Sequence, residues 1–144
     1  GLSGVSNDMR DLQAAAAEGN ERARLTVDLF AYRVRKYIGA YAAVLGGLDC
    51  VVMTGGIGEN DHLQRRRCVQ GLEFLGIVED PAKNLPRGEL AYNDGIADIG
   101  AADAPGFLLV IQTDEELMIA RDTAEVLAAH TQRFTTASPP GGGQ

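Results

Sequence analysis

Over the longest patterned stretch of the chain, apolar residues recur at helical spacing: Val27, Phe30, Ala31, Val34, Ile38, Tyr41 and Leu45 step by three and four. This stripe predicts a helix from Glu21 to Leu45, with Arg24, Asp28, Arg35 and Lys36 largely off the apolar face. At about 1.5 Å per residue such a helix crosses a small domain. Gly46-Gly47 ends it. Upstream, an alanine-rich helix is expected from Met9 to Glu18, capped by Ser6 or Asn7 and stopped by Gly19-Asn20. Cys50 to Met53 and Phe107 to Ile111 are short apolar runs of buried-strand type. A helix is expected from Asn60 to about Phe74, a short strand at Leu75 to Val78, and a last helix after Thr113 with the stripe Leu117, Ala120, Ala124 and Leu127. Glu79 to Pro105 is rich in turn formers and yields one short strand near Ile96 to Ile99. Helix, strand, turn and helix in succession is the rhythm of an α/β layered fold.

Composition narrows this picture. A chain of 144 residues with 45% hydrophobic residues is large enough for one domain with a real core. Its net charge of -7 argues against a nucleic-acid surface, but a few local donors can hold a nucleotide in an acidic protein. Cys50 and Cys68 have neither disulfide-framework nor metal-ligand spacing, as expected of a reduced, cytoplasmic protein. No apolar run reaches membrane-spanning length and no signal-peptide pattern opens the chain, so no membrane partner is expected. The opening Gly-Leu-Ser-Gly, without Met, reads as a start inside a longer protein. The expected domain covers residues 1–130, and 131–144, ending Ser-Pro-Pro-Gly-Gly-Gly-Gln, read as a disordered tail.

The candidate chemistry centres on Asp49 to Asn60, where the strand Cys50–Met53 runs into Thr54-Gly55-Gly56-Ile57-Gly58 and Glu59-Asn60-Asp61 reads as a helix start. A glycine turn ahead of a helix N-terminus suits a phosphate; it also suits any tight connection, and both readings stand on these residues alone. No Gly-Lys-Ser/Thr closes the loop, and Asp61 stands where a dinucleotide motif needs its third glycine. Asp8-Met9-Arg10 reads as a helix start with solvated charges, and Arg65-Arg66-Arg67 as a mostly solvated run, since consecutive residues radiate around a helix. Thr113 and Glu116 have capping-box spacing, which leaves Glu115 open to a metal, an ordered water or a simple charge–dipole contact. His62 and His130 each stand alone as weak ligand candidates.

Three segments together resemble one family, the acetate kinases: Ser3-Gly4-Val5-Ser6-Asn7-Asp8-Met9-Arg10-Asp11, Thr54-Gly55-Gly56-Ile57-Gly58-Glu59-Asn60, and Thr113-Asp114-Glu115-Glu116-Leu117-Met118-Ile119-Ala120-Arg121. The likeness extends to Phe30-Ala31-Tyr32-Arg33, Lys36-Tyr37-Ile38-Gly39-Ala40-Tyr41 and Gly71-Leu72-Glu73-Phe74-Leu75-Gly76, and departs from the family pattern between Glu89 and Gly106. It implies part of a ribonuclease H-like, actin-like ATPase domain of the acetate and sugar kinase, Hsp70 and actin superfamily. It also implies transfer of the ATP γ-phosphoryl group to acetate, giving acetyl phosphate and ADP. Asp8, Met9 and Arg10 would line the adenosine pocket; Gly56, Ile57, Gly58, Glu59 and Asn60 would cradle the nucleotide; Glu115 would hold Mg²⁺ through water. The family's N-terminal domain, with the acyl pocket and catalytic groups, has no counterpart in these residues, so no catalytic residue is expected here and the chain alone is expected to be inactive. A homodimer is implied. Two alternatives stand beside this: part of a propionate or butyrate kinase, and a non-catalytic dimerisation module built on Tyr32, Tyr37 and Tyr41.

Overall fold

The computed structural model describes residues 1–135, less the side chains of 129 and 131–135. It divides into two units, Gly1–Gln112 and Thr113 onward. The first unit runs α1 (Met9–Ala17), α2 (Glu21–Leu45), β1 (Cys50–Met53), α3 (Gly55–Asn60), α4 (His62–Val69), a 3₁₀ turn (Glu73–Leu75), β2 (Ile96–Asp98) and β3 (Phe107–Ile111); α5 (Glu115–Thr135) belongs to the second.

Helix α2 has the expected limits because both ends are set locally. The Asn20 side chain accepts from the Ala23 N–H at 3.0 Å, and Gly46, at φ +78°, closes the helix through a bond to the Ala42 carbonyl. Its stripe is covered only in part. Val27 packs with Leu12 and Ala23, while Phe30, Ala31, Val34 and Ile38 join the main core. Tyr41 and Leu45 continue the sequence pattern yet are 62% and 73% exposed, while Ala42 between them is buried. Helix α1 starts where expected but is capped by Asp8, not by Ser6 or Asn7. Asp8 Oδ1 accepts from the Arg10 N–H at 2.8 Å, and Ser6 Oγ instead accepts from the Asp8 N–H and donates to Asp11.

The sheet has the order β1-β3-β2. β1 and β3 are parallel, with Cys50 opposite Phe107 and Met53 opposite Val110; β2 is antiparallel to β3, with Ile96 opposite Ile111. The strands expected to be buried throughout are covered on one face only. Val51, Met53, Leu108 and Val110 are buried, whereas Val52 and Phe107 are exposed. The strand near Ile96 is present. The one expected at Leu75–Val78 is not: the 3₁₀ turn ends at Gly76 (φ +83°), and Ile77 enters the core as a loop residue. Helix α4 stops at Val69 rather than Phe74, ahead of Gly71 at φ +88°. The core of this unit gathers Ala31, Val51, Cys68, Val69, Leu72, Ile77, Ala97, Ile99, Leu108 and Val110.

In the second unit α5 is capped by Asp114, whose Oδ1 accepts from the Leu117 N–H at 2.9 Å. This replaces the capping box expected between Thr113 and Glu116, because the helix begins one residue later than that pairing requires. The helix continues through Thr131 to Thr135; the rest of the expected tail, 136–144, lies outside the described residues. Among the described residues no helix is long and apolar enough to cross a membrane.

Candidate functional site

The glycine segment after β1 is itself a helix. Thr54 stands at its N-cap position and its hydroxyl donates to the Ile111 carbonyl at 2.9 Å, joining the ends of β1 and β3. Gly55 through Asn60 then form α3, so the expected open turn with a helix beginning at Glu59 is corrected. Glycine is a poor helix former, but side chains supply what propensity lacks: Glu59 Oε1 accepts from the Gly55 N–H at 3.0 Å, and Asn60 Nδ2 donates to the Gly56 carbonyl at 2.9 Å. Asn60 is therefore the last residue of α3 and not a cap. Asp61 caps α4, accepting from the Gln64 N–H at 2.9 Å. With the Gly55 amide turned to Glu59 and α3 only six residues long, the expected phosphate site at a helix N-terminus loses its simplest form.

The glycines of α3 serve different ends. At Gly58 an added Cβ would lie 2.9 Å from the backbone carbonyl carbon of Met53, so its absence lets α3 pack directly on β1. At Gly56 an added Cβ would meet nothing within 4 Å and the backbone has no positive φ, so neither sterics nor conformation calls for glycine there. Alanine would favour the helix by about 1 kcal/mol. Gly56 is exposed, Ile57, Glu59 and Asn60 are half-buried, and Gly58 is buried.

At the start of α1, Arg10 folds back on Asp8: its Nε lies 3.0 Å from Oδ1 and its Nη2 2.5 Å from Oδ2. That guanidinium, with the Arg10 N–H, lowers the Asp8 carboxyl to about 2. Met9 is half-buried against the cluster of Leu12, Ala23 and Val27. Gln13 Nε2 on α1 donates to Oδ2 of Asp61, the residue following Asn60. This bond joins α1 to the cap of α4, and none of the expected site residues takes part in it. Glu115, the third, sits exposed in the first turn of α5 in the other unit.

The expectation of a solvated arginine run fails at Arg65, which is 1% exposed. Its Nη1 donates to the carbonyls of Gly58 and Glu59 at 2.9 and 3.0 Å, its Nε to Asn84 Oδ1 at 2.7 Å, and its Nη2 to the Leu85 carbonyl at 2.6 Å. Asn84, itself 2% exposed, donates to the His62 carbonyl and to Glu79. Burial pushes the Arg65 pKa down from an ordinary value far above neutrality. Arg66 pairs with Glu79 at 3.0 Å, and Arg67 is half-buried. Reading the arginines as a run hid which one faces inward. Nothing in the spacing separates Arg65 from its neighbours; its inward direction is set by partners on α3 and in an irregular loop.

Other features carry less. Among the described residues no three or more of His, Cys, Asp and Glu cluster as a metal cage. A lone carboxylate such as Glu115 fits Mg²⁺, which binds proteins through one or two carboxylates while keeping much of its water. Cys68 is a buried free thiol pushed by burial up to about 11 and so is not a nucleophile near neutrality. A cleft of about 240 Å³ between α1, α2 and α4, and a groove of about 370 Å³ beside Tyr32 and Phe74, are lined by none of the expected site residues.

Residues 1–121 match the model of the acetokinase family. The chain belongs to that family. Over 127 residues it is 54% identical to the acetate kinase of Heliobacterium modesticaldum, an alignment covering 88% of this chain and 30% of that protein. Among solved structures it superposes on Porphyromonas gingivalis acetate kinase at a TM-score of 0.75 with 42% identity, covering 88% of this chain and 30% of that one. It also superposes on a propionate kinase from Francisella tularensis at 0.67 with 36% identity, covering 83% and 29%. The chain thus spans about 30% of the length of these acetokinase relatives. Its α/β architecture is part of their fold, as the resemblance implied.

Proposed function

We propose that this chain is the nucleotide-binding part of an acetate kinase, a phosphotransferase that moves the ATP γ-phosphoryl group to acetate. Gly56, Ile57, Gly58, Glu59 and Asn60 receive the nucleotide, Asp8, Met9 and Arg10 border the adenosine, and Glu115 orients the water shell of Mg²⁺. When bound, Mg²⁺ neutralises phosphate charge, and the residues of this chain bind and orient. The observation that carries the reading is the family match over residues 1–121; at Gly56, exposed and with nothing within 4 Å of an added Cβ, the backbone is open to close approach by a ligand. The 54% identity to a protein named acetate kinase supports the same reading. ADP as product, a cytoplasmic setting and a homodimer belong to this proposal. Propionate as acceptor is the second reading, favoured by the likeness to the Francisella propionate kinase at a lower identity of 36%; turnover with a series of acyl chain lengths in the whole protein separates the two.

Calorimetry with MgADP on the 144-residue chain tests the nucleotide role. Binding is expected, and Gly56→Ala should weaken it about tenfold while leaving the melting temperature unchanged or slightly raised. An absence of MgADP binding by the native chain, or a Gly56→Ala variant with native affinity, would overturn the reading; stable dimers without binding would favour a dimerisation module.

A further inference from the structure

We propose that Arg65 is a positioning residue for the nucleotide, holding the last turn of α3 in the shape that receives it. The inference rests on the reading of α3 as a nucleotide segment. Arg65 lies on α4, and one nitrogen of its guanidinium spans the carbonyls of Gly58 and Glu59. These immediately precede Asn60, so the bond pair fixes the backbone from which the Glu59 and Asn60 side chains leave.

The other end of the fork is anchored to the sheet. Arg65 Nε and Nη2 reach Asn84 Oδ1 and the Leu85 carbonyl. The Asn84 N–H in turn donates to the Asp80 carbonyl at 2.9 Å, and the Asp80 N–H donates to the Ile99 carbonyl at 2.9 Å, just beyond β2. With Gly58 seated on Met53, α3 is held on two sides, by β1 and by Arg65, and Gly56 is left open to solvent.

Capping a short helix would not need this residue. Burying a cation is costly, and a neutral side chain or water could satisfy two carbonyls. A planar fork that bridges two separate segments at once, 58–59 and 84–85, adds orientation, which a point charge on a flexible stem does not. A binding segment held by its supporting shell to within a fraction of an ångström is what an oriented phosphate chain requires.

The test is Arg65→Lys in the 144-residue chain, with Arg67→Lys on the same helix as the charge-matched control. Lysine keeps the charge but cannot bridge α3 to both Asn84 and Leu85. Expected are a cooperative melt, faster amide hydrogen exchange in residues 55–60, and MgADP affinity about tenfold weaker, with Arg67→Lys at native affinity. A merely structural role would lower the melting temperature and leave the affinity of the folded protein unchanged. Native affinity in Arg65→Lys therefore overturns the proposal while leaving the nucleotide role intact. If the native chain binds no MgADP, the nucleotide role falls and this proposal falls with it. Should Arg65→Lys not fold, Asn84→Ser takes its place by freeing one arm of the fork. It is expected to weaken MgADP about threefold, and native affinity there also overturns the proposal.

Discussion

The glycine helix α3 and the start of α1 are both proposed to contact the same ligand, and the fold holds them by different means. Besides its own Glu59 and Asn60, α3 is gripped from outside itself, by a buried guanidinium, by direct packing on β1 and by a hydroxyl that bonds the neighbouring strand. The Asp8–Arg10 corner is gripped mainly by itself: its carboxylate caps its own helix and pairs with a guanidinium two residues away, both near solvent. Exposed pairs of this kind contribute little to stability, whereas a buried network is strongly destabilised when one partner is removed. The difference separates a segment whose shape is set before ligand arrives from one whose side chains can rearrange around it. Asp61 joins α1 to α4, capping α4 with one oxygen and holding Gln13 of α1 with the other.

Substitutions can break or sharpen this contrast, and the largest effect is expected at Gly58. Alanine there must push α3 away from Met53, so Gly58→Ala should cost about 1–3 kcal/mol in urea unfolding, less the small gain in helix propensity. A variant of native stability would show that α3 is not seated as described. Next comes Asp61→Ala, which removes a cap and the link to α1 together; a loss of about 1–2 kcal/mol is expected by the same measurement. Its effect on amide exchange should appear in both α1 and α4, and a change confined to α4 would deny Asp61 its joining role. The smallest effect is at Asp8. Its carboxyl is lowered in the folded chain, so the cap it provides is complete above the ordinary aspartate range near 4 and is lost as pH falls through about 2. A carbon-detected NMR titration should place the midpoint near that value, and an ordinary midpoint would mean the Arg10 contact is not maintained in solution.

Much of this architecture is legible in the residues because many of its determinants are local. Asn20 and Gly46 set both ends of α2, and the apolar runs at Cys50 and Phe107 become strands in parallel register. What was not legible depends on particular side-chain partners rather than on periodicity. Gly55–Asn60 has the composition of a loop and becomes a helix through Glu59, Asn60 and Arg65. Arg65 cannot be told from Arg66 and Arg67 by spacing, since its inward direction is set by Asn84 and Leu85 in a loop with no periodicity. Likewise Tyr41 and Leu45 obey the stripe of α2 but stay exposed. The candidate site was legible as a set of segments, from the motif and the family likeness; what supports those segments was not.

The parallel pairing of β1 with β3 has a consequence for how the molecule assembles. Thr54 and Ile111, which close the end of that pair, are 57 positions apart, and α3, α4 and the loop bearing Asn84 all lie between them. The α1–α2 hairpin, by contrast, needs only neighbours in sequence. Closing a long loop costs chain entropy before any contact rewards it, so the hairpin is expected to form early and the crossover late. The region proposed to receive the nucleotide is thus expected to be among the last parts of the polypeptide to take shape.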